Sequence, residues 1–184
     1  MADDGHNSGG RRRKGRRDFD DRFQPAELGK LFDQLPPHDL AAEAALLGSM
    51  ILDWRVSGEV MEQLAGVEAI DAFYRPPHAV IYQALIALFD EHQSIDVVQL
   101  RNRLEDQGVL DQVGGVDYLV KLAEAVPTAT SAVHYARIVR EKAILRKLIE
   151  ATGRVLYDCY HEAQQGAGPL LDKAQQSIFE IAQG

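Results

Sequence analysis

Cysteine, aromatic residues and long apolar runs are all scarce in this sequence. Cys159 is the single cysteine among 184 residues, so a disulfide within the chain is excluded. This usage is typical of the reducing cytoplasm. No apolar run reaches the roughly 18 residues that a membrane span requires, and no apolar segment near Met1 resembles a secretory signal. The sequence therefore predicts a cytoplasmic protein with no membrane partner.

Motifs that carry catalytic chemistry are also missing. The spacing of Gly10 and Gly15 resembles the opening of a phosphate-binding loop, but Arg16 and Arg17 stand where that loop requires Lys and Ser or Thr. The histidines form no metal-ligand pair, and Cys159 is predicted to be a packed thiol. His78, which follows two prolines, is expected to cap a helix or to face solvent. We therefore expect no catalytic, cofactor-binding or metal site in this chain.

Charge is divided unevenly between the N-terminus and the rest of the chain. Residues 1–23 contain seven Lys or Arg and five Asp, a net charge of +2, whereas the whole chain carries −8, which leaves −10 for the remainder. Residues 1–35 are predicted to be a disordered tail with a basic cluster at Arg11, Arg12, Arg13, Lys14, Arg16 and Arg17. The neighbouring aspartates favour a solubilising tail, and a weak nucleic-acid contact is the alternative. The acidic remainder argues against broad nucleic-acid binding.

Helical periodicity runs through the rest of the chain, and no strand pattern appears, so the predicted fold class is all-α. One long helix is predicted from Ser131 to Tyr160, about 45 Å at 1.5 Å per residue. Ile138, Leu145, Thr152 and Cys159 repeat every seven residues along it. A helix of this length outruns a small domain, which favours contact with another chain. A long core helix in a monomeric bundle would show the same pattern.

A last amphipathic helix follows a polar, Gly-rich linker at 161–168. Its apolar stripe consists of Leu171, Ala174, Ile178 and Ile181. Nothing preceding it offers an obvious partner, so it is predicted to dock onto another protein or domain. The alternative is that this helix folds back onto the body of the same chain.

The sequence resembles the N-terminal domain of DnaB-family replicative helicases over residues 36–182. The resemblance lies in PPHDLAAEAALLGSMILD at 36–53 and in motifs within 71–149, namely Asp-x-Phe-Tyr, Gly-Gly-x-x-Tyr-Leu, Val-Pro-Thr-Ala and His-Tyr-Ala-Arg-Ile-Val-Arg-Glu-Lys. It implies a small helical globule at 36–112 and a helical hairpin at 113–162 built from Val116–Val126 and Ser131–Tyr160. A linker and docking helix at 163–184 would then pack on the ATPase domain of a neighbouring subunit.

The same resemblance implies the function. The domain would form the collar of the helicase ring, pair subunits into dimers and a hexamer, and bind primase, with a helicase loader as a further candidate partner. This fragment would not be an enzyme, because ATP and Mg²⁺ belong to the motor domain of the parent protein, which is absent from this sequence. Candidate primase contacts are Tyr118, Ile149 and Val155, and candidate residues of the dimer seam are Ile138, Leu145 and Cys159.

Two other classes of protein stay open. A stand-alone helical adaptor or inhibitor of the helicase ring would share the collar sequence. A small helix-turn-helix DNA-binding protein would use residues 96–125 together with the basic tail, although the acidic body counts against it. A phosphate-binding loop downstream in the same gene would identify the helicase.

Overall fold

The computed structural model describes residues 29–31, 33–91 and 95–183. The chain divides into two units, Met1–Leu35 and Pro36–Gly184, and every helix named below belongs to the second. The basic cluster from Arg11 to Arg17 lies outside the described residues.

Eight α-helices follow one another in the second unit, counted over its described residues. They are α1 (Leu40–Leu52), α2 (Ser57–Gln63), α3 (Ala69–Ala72), α4 (Pro76–Asp90), α5 (Val97–Asp106), α6 (Gly115–Ala123), α7 (Ala132–His161) and α8 (Ala167–Gln183). Single turns of 3-10 helix occupy Trp54–Val56 and Ala163–Gln165. All regular structure in the described part of the chain is helical, which confirms the predicted all-α class.

The sequence marks where several of these helices begin. Asp39 caps α1, and its Oδ1 accepts a hydrogen bond of 2.9 Å from the Ala42 amide. Asp96 caps α5 in the same way, with 2.8 Å between Oδ1 and the Gln99 amide. Pro76 and Pro77 occupy the first turn of α4, where no amide hydrogen is required. These signals are local in sequence and depend on no tertiary contact.

Helix α1 lies at the centre of the hydrophobic core. Leu46, Leu47 and Met50 are fully buried on it, and α1 packs against α4, α6 and α7. Other helices contribute fully buried side chains at Ile81, Leu85, Leu88, Leu100, Leu104, Leu119 and Leu122. Each such side chain stabilises the fold by about 1.5–3 kcal/mol relative to exposure. The globule is therefore a set of short helices wrapped around α1.

Helix α7 joins this globule over only its N-terminal half. Its buried residues are Ala132, Ala136, Val139 and Ala143, and none occurs after Ala143. The small alanines allow close approach to α1, which makes its most extensive helix contact with α7. Arg146 and Lys147 still make polar contacts with the globule, and beyond Lys147 the helix extends past it, as expected from its length.

The partner of α7 in the hairpin differs from the one we expected. The sequence suggested that residues Val116–Val126 would pair with the long helix, but α6 packs instead against α1 and α5. The antiparallel partner of α7 is α8, and this pairing also contradicts the expectation that the last helix lacks an intramolecular partner. Gly166, with φ of 85°, lets the chain reverse direction between the two helices. We call this unit the α7–α8 hairpin.

Candidate functional site

A buried polar network links α1, α4 and α6 inside the globule. Glu43 on α1 and His78 on α4 are 2% and 1% exposed, and 2.7 Å separates Glu43 Oε2 from His78 Nδ1. The other carboxylate oxygen of Glu43 accepts a 2.7 Å hydrogen bond from the Tyr74 amide. A buried carboxylate is stable only when such partners replace water. Glu43 therefore fixes both the start of α4 and the imidazole of His78.

Tyr118 connects this network to the protein surface. Its hydroxyl lies 2.5 Å from His78 Nε2, and Nη1 of Arg75 donates to the same hydroxyl over 3.0 Å. The Arg75 guanidinium also lies over the Tyr118 ring, with 5.0 Å from Cζ to the ring centroid. Arg75 itself is exposed, whereas Tyr118 is half-buried. The network thus runs from a buried carboxylate to an exposed cation.

An arrangement of hydrogens that satisfies these contacts can be assigned from the donors and acceptors. Arg75 can only donate, so the Tyr118 oxygen accepts from it. We assign the His78 tautomer in which Nδ1 donates to the Glu43 carboxylate and Nε2 accepts from the Tyr118 hydroxyl. In this tautomer Glu43 is paired with donors only.

Arg146 on α7 makes a second set of hydrogen bonds, which connects the long helix to the globule. Its two terminal nitrogens donate to the carbonyl oxygens of Pro37, Asp71 and Ala72 over 2.8, 2.6 and 2.9 Å. Burial lowers the pKa of Arg146 below its ordinary value, and the charges of Glu43 and Asp71 partly offset that shift. An arginine remains protonated at neutral pH even so. Arg146 therefore serves as a multidentate clamp that orients α7 on the globule.

The candidate primase contacts lie in three different environments. Tyr118 is engaged by the buried network, which gives it a role inside the globule. Val155 lines the cleft between α7 and α8, together with Arg154 and Lys173. Ile149 is 53% exposed on the part of α7 that extends past the globule. Of the three, Ile149 is the side chain that is freest to contact a partner.

The candidate residues of the dimer seam also divide between environments. Ile138 is half-buried against the hydrophobic core. Leu145 is 39% exposed, and Cys159 is fully on the surface. The expectation of a packed thiol is therefore wrong, because Cys159 belongs to the last turns of α7, which the globule does not cover.

An open apolar face runs along the extended part of α7. It consists of Leu145, Ile149, Leu156 and Tyr160, which lie within about 60° of one another around the helix axis, on the side turned away from Ala143. Tyr160 is 78% exposed. Among the described residues, neither the globule nor the helix α8 covers this face.

Helix α8 also turns apolar side chains outward. Its stripe was expected at Leu171, Ala174, Ile178 and Ile181, but Ile181 faces α7 beside Ala151. Leu171, Ile178 and Phe179 are 62%, 42% and 61% exposed. We call the set of Leu171, Ala174, Ile178, Phe179 and Ala182 the outer face of α8.

The contact between α7 and α8 combines polar and apolar side chains. Its cleft is lined by Arg154, Val155, Asp158, Leu170, Lys173, Gln176, Ser177 and Glu180. Lys173 Nζ lies 2.8 Å from Glu162 Oε2 where the chain turns, and this hydrogen bond raises the pKa of Lys173. No residue of α8 is buried. The hairpin is thus held by a contact that buries none of α8 fully, and it leaves other apolar side chains facing outward.

The described residues contain no group of three His, Cys, Asp or Glu side chains placed to hold a metal ion. None of the helices in this part of the chain is long and apolar enough to cross a bilayer.

Comparison with known proteins shows which family this chain belongs to. A model of the "DnaB-like helicase N terminal domain" matches residues 35–141. The replicative DNA helicase DnaB of Mycobacterium leprae is 39% identical over 153 residues, which are 83% of this chain and 25% of that protein. The replicative DNA helicase DnaC of Bacillus subtilis is 37% identical over 153 residues, 83% of this chain and 33% of that protein.

A solved structure agrees with the sequence comparison. The crystal structure of the N-terminal domain of DnaB helicase from Mycobacterium tuberculosis matches with a TM-score of 0.72 and 38% identity, covering 80% of this chain and 99% of that one. The globule and the α7–α8 hairpin therefore define a helicase-associated helical domain. The chain belongs to the DnaB-like helicase N-terminal domain family, as the sequence resemblance predicted. It spans 25% and 33% of the lengths of the two replicative helicases named above.

Proposed function

We propose that this chain is the N-terminal collar domain of a replicative DNA helicase, in which it pairs subunits, supports a hexameric ring and binds primase in the cytoplasm. A helicase loader is a further candidate partner. ATP hydrolysis and unwinding would belong to a motor domain of the parent protein, with its ATP and Mg²⁺. The family membership supplies the class of protein, and the exposed apolar side chains of the hairpin support a role in assembly.

The observation that carries the proposal is the uncovered apolar surface of the α7–α8 hairpin. Leu145 on α7 and Ile178 and Phe179 on α8 are all between 39% and 61% exposed. Monomeric proteins seldom leave contiguous apolar surface of this kind uncovered. Two copies that pair through these side chains would remove them from water and gain the corresponding hydrophobic free energy. We therefore assign subunit pairing to the hairpin.

The purified chain is expected to self-associate, and Leu145→Asp is expected to weaken that association at least tenfold. The substitution places a carboxylate in the middle of the open apolar face of α7, where pairing would have to desolvate it. Sedimentation velocity over a range of protein concentrations measures the dissociation constant of both proteins.

Tyr157→Asp is the matched control for this experiment. Tyr157 is 59% exposed on the same helix but lies outside the open face, about 120° from Leu145 and 60° beyond Tyr160 around the axis. Its substitution should leave the dissociation constant within about twofold of wild type. A wild-type chain that stays monomeric at every concentration would contradict subunit pairing through the hairpin.

Ile149→Asn is expected to weaken binding of the primase encoded in the same genome by about 1 kcal/mol or more. Ile149 is half-exposed and lies outside the α7–α8 cleft, so a polar side chain there should leave the melting temperature almost unchanged. Isothermal titration of primase into each variant measures the change. Tyr157→Asn serves as the control, and an equal loss with both variants would show that Ile149 is no specific contact.

A further inference from the structure

The Arg75 guanidinium is held in a fixed position on the surface without a carboxylate to neutralise it. Among the described residues no carboxylate oxygen lies within ion-pair distance of the Arg75 guanidinium, whereas Arg55, Arg101, Arg103 and Arg154 each have one. Its polar side-chain contact within the described residues is the hydroxyl of Tyr118 at 3.0 Å. This contact uses one of the five N–H donors of an exposed side chain.

Three contacts restrain this side chain before any partner binds. The guanidinium stacks over the Tyr118 ring and donates to the hydroxyl of the same residue. The backbone amide of Arg75 also donates to Glu43 Oε2 over 3.4 Å. Pro76 and Pro77 follow directly and restrict the backbone further. A flexible surface arginine would lose rotamer entropy on binding, but Arg75 has already lost part of it on folding.

We infer that Arg75 is the recognition residue of this surface and that it takes a side-chain carboxylate of the protein partner. The inference deepens the proposed partner binding and rests on it. A planar guanidinium with free N–H donors matches a carboxylate in a two-point contact. Phosphate has similar chemistry, but the large negative charge outside the N-terminal tail opposes a nucleic-acid backbone, whereas one carboxylate on a protein partner meets less repulsion.

Glu43, His78 and Tyr118 act as positioning residues for Arg75. In the assigned tautomer the buried carboxylate orients His78, His78 accepts the hydrogen of the Tyr118 hydroxyl, and the hydroxyl oxygen accepts from Arg75. This order connects a half-buried tyrosine at the surface to a buried carboxylate in the core. Tyr118 would therefore position Arg75 and would not itself be the contact with the partner.

The test compares Arg75→Gln and Tyr118→Phe in binding to the primase of the same genome, at several salt concentrations. Arg75→Gln should weaken binding about tenfold and reduce its salt dependence, because an ion pair is lost. Tyr118→Phe should weaken binding by only about threefold and keep the wild-type salt dependence, because the charge remains and only its positioning is lost. Melting temperatures check folding, and Arg75→Lys measures how much the two-point geometry adds.

The outcomes separate this inference from the proposed function. No binding of primase to the wild-type chain would contradict the proposed function itself. Wild-type binding that Arg75→Gln leaves within twofold would overturn the role of Arg75. A fluorescent single-stranded oligonucleotide is the second probe, and if Arg75→Gln weakens its binding but not that of primase, phosphate and not carboxylate is the ligand.

Discussion

Replacing Glu43 by alanine is expected to destabilise the domain by about 3–5 kcal/mol, a large part of the 5–15 kcal/mol that holds a typical domain together. Glu43 is 2% exposed and accepts hydrogen bonds from the Tyr74 amide and from His78. Alanine would leave both donors buried without a partner and would open a cavity between α1 and α4. Urea denaturation followed by circular dichroism measures the loss.

Glu150→Ala is the matched control, since Glu150 is also a helical glutamate in an ion pair. Its partner is Arg154 at 2.9 Å, but both side chains are 71% exposed. Exposed pairs of this spacing contribute less than about 0.5 kcal/mol. If Glu43→Ala and Glu150→Ala lower the free energy of unfolding equally, the buried network stabilises the domain no more than an exposed ion pair does.

Glu43→Gln keeps the side-chain volume and separates charge from packing. The amide oxygen can still accept from the Tyr74 amide, but its NH₂ group would then face His78 Nδ1, which donates in the assigned tautomer. The expected loss is smaller, about 1–3 kcal/mol. This variant gives a measurable value even where Glu43→Ala does not fold.

This network was not predictable from the sequence by spacing, because its members are 35 and 40 residues apart. One local sign was available: Glu43 stands among Ala42, Ala45 and Leu46, all of which are buried. A charged residue at a core position of an apolar helix requires a buried partner. His78 was expected to cap a helix or to face solvent, and the choice between these and burial depends on tertiary contacts.

The helices themselves were predictable, and the pairing of the hairpin was not. Caps such as Asp39 and Asp96 and the apolar periodicity are properties of single segments, so they specify where helices lie. Both α6 and α8 are amphipathic and connect to α7 through short loops. Local pattern therefore gives no preference between them as the partner of α7, and the choice depends on the burial of Leu119 and Leu122 under α1.

Among the residues of the hairpin, some positions could be predicted from local sequence and others depend on tertiary contacts. The exposed positions of Leu145 and Ile149 follow from the length of α7, which exceeds the globule. The position of Val155 in the cleft could not be inferred, because it depends on α8 folding back along α7. Ile149 and Val155 are therefore close in sequence but lie on different surfaces of the hairpin.

Helices α1 and α6 approach each other closely at Gly48. A Cβ atom at this position would lie 2.1 Å from the carbonyl oxygen of Leu122, well inside van der Waals contact. The obstacle is backbone, so no side-chain rotation can relieve it. The absence of a side chain at Gly48 is what allows Leu119 and Leu122 of α6 to reach the core.

Gly48→Ala is therefore expected to cost about 1–3 kcal/mol or more, although alanine is the better helix former. Gly153→Ala is the matched control, because Gly153 lies within α7 and a Cβ there would meet no atom within 4 Å. That substitution should stabilise the domain by about 0.5–1 kcal/mol through helix propensity alone. Urea midpoints of the two variants should move in opposite directions from wild type. If Gly48→Ala leaves the free energy of unfolding unchanged or raises it, α1 and α6 can move apart at no cost in stability. The close contact at Gly48 would then not determine how the globule packs.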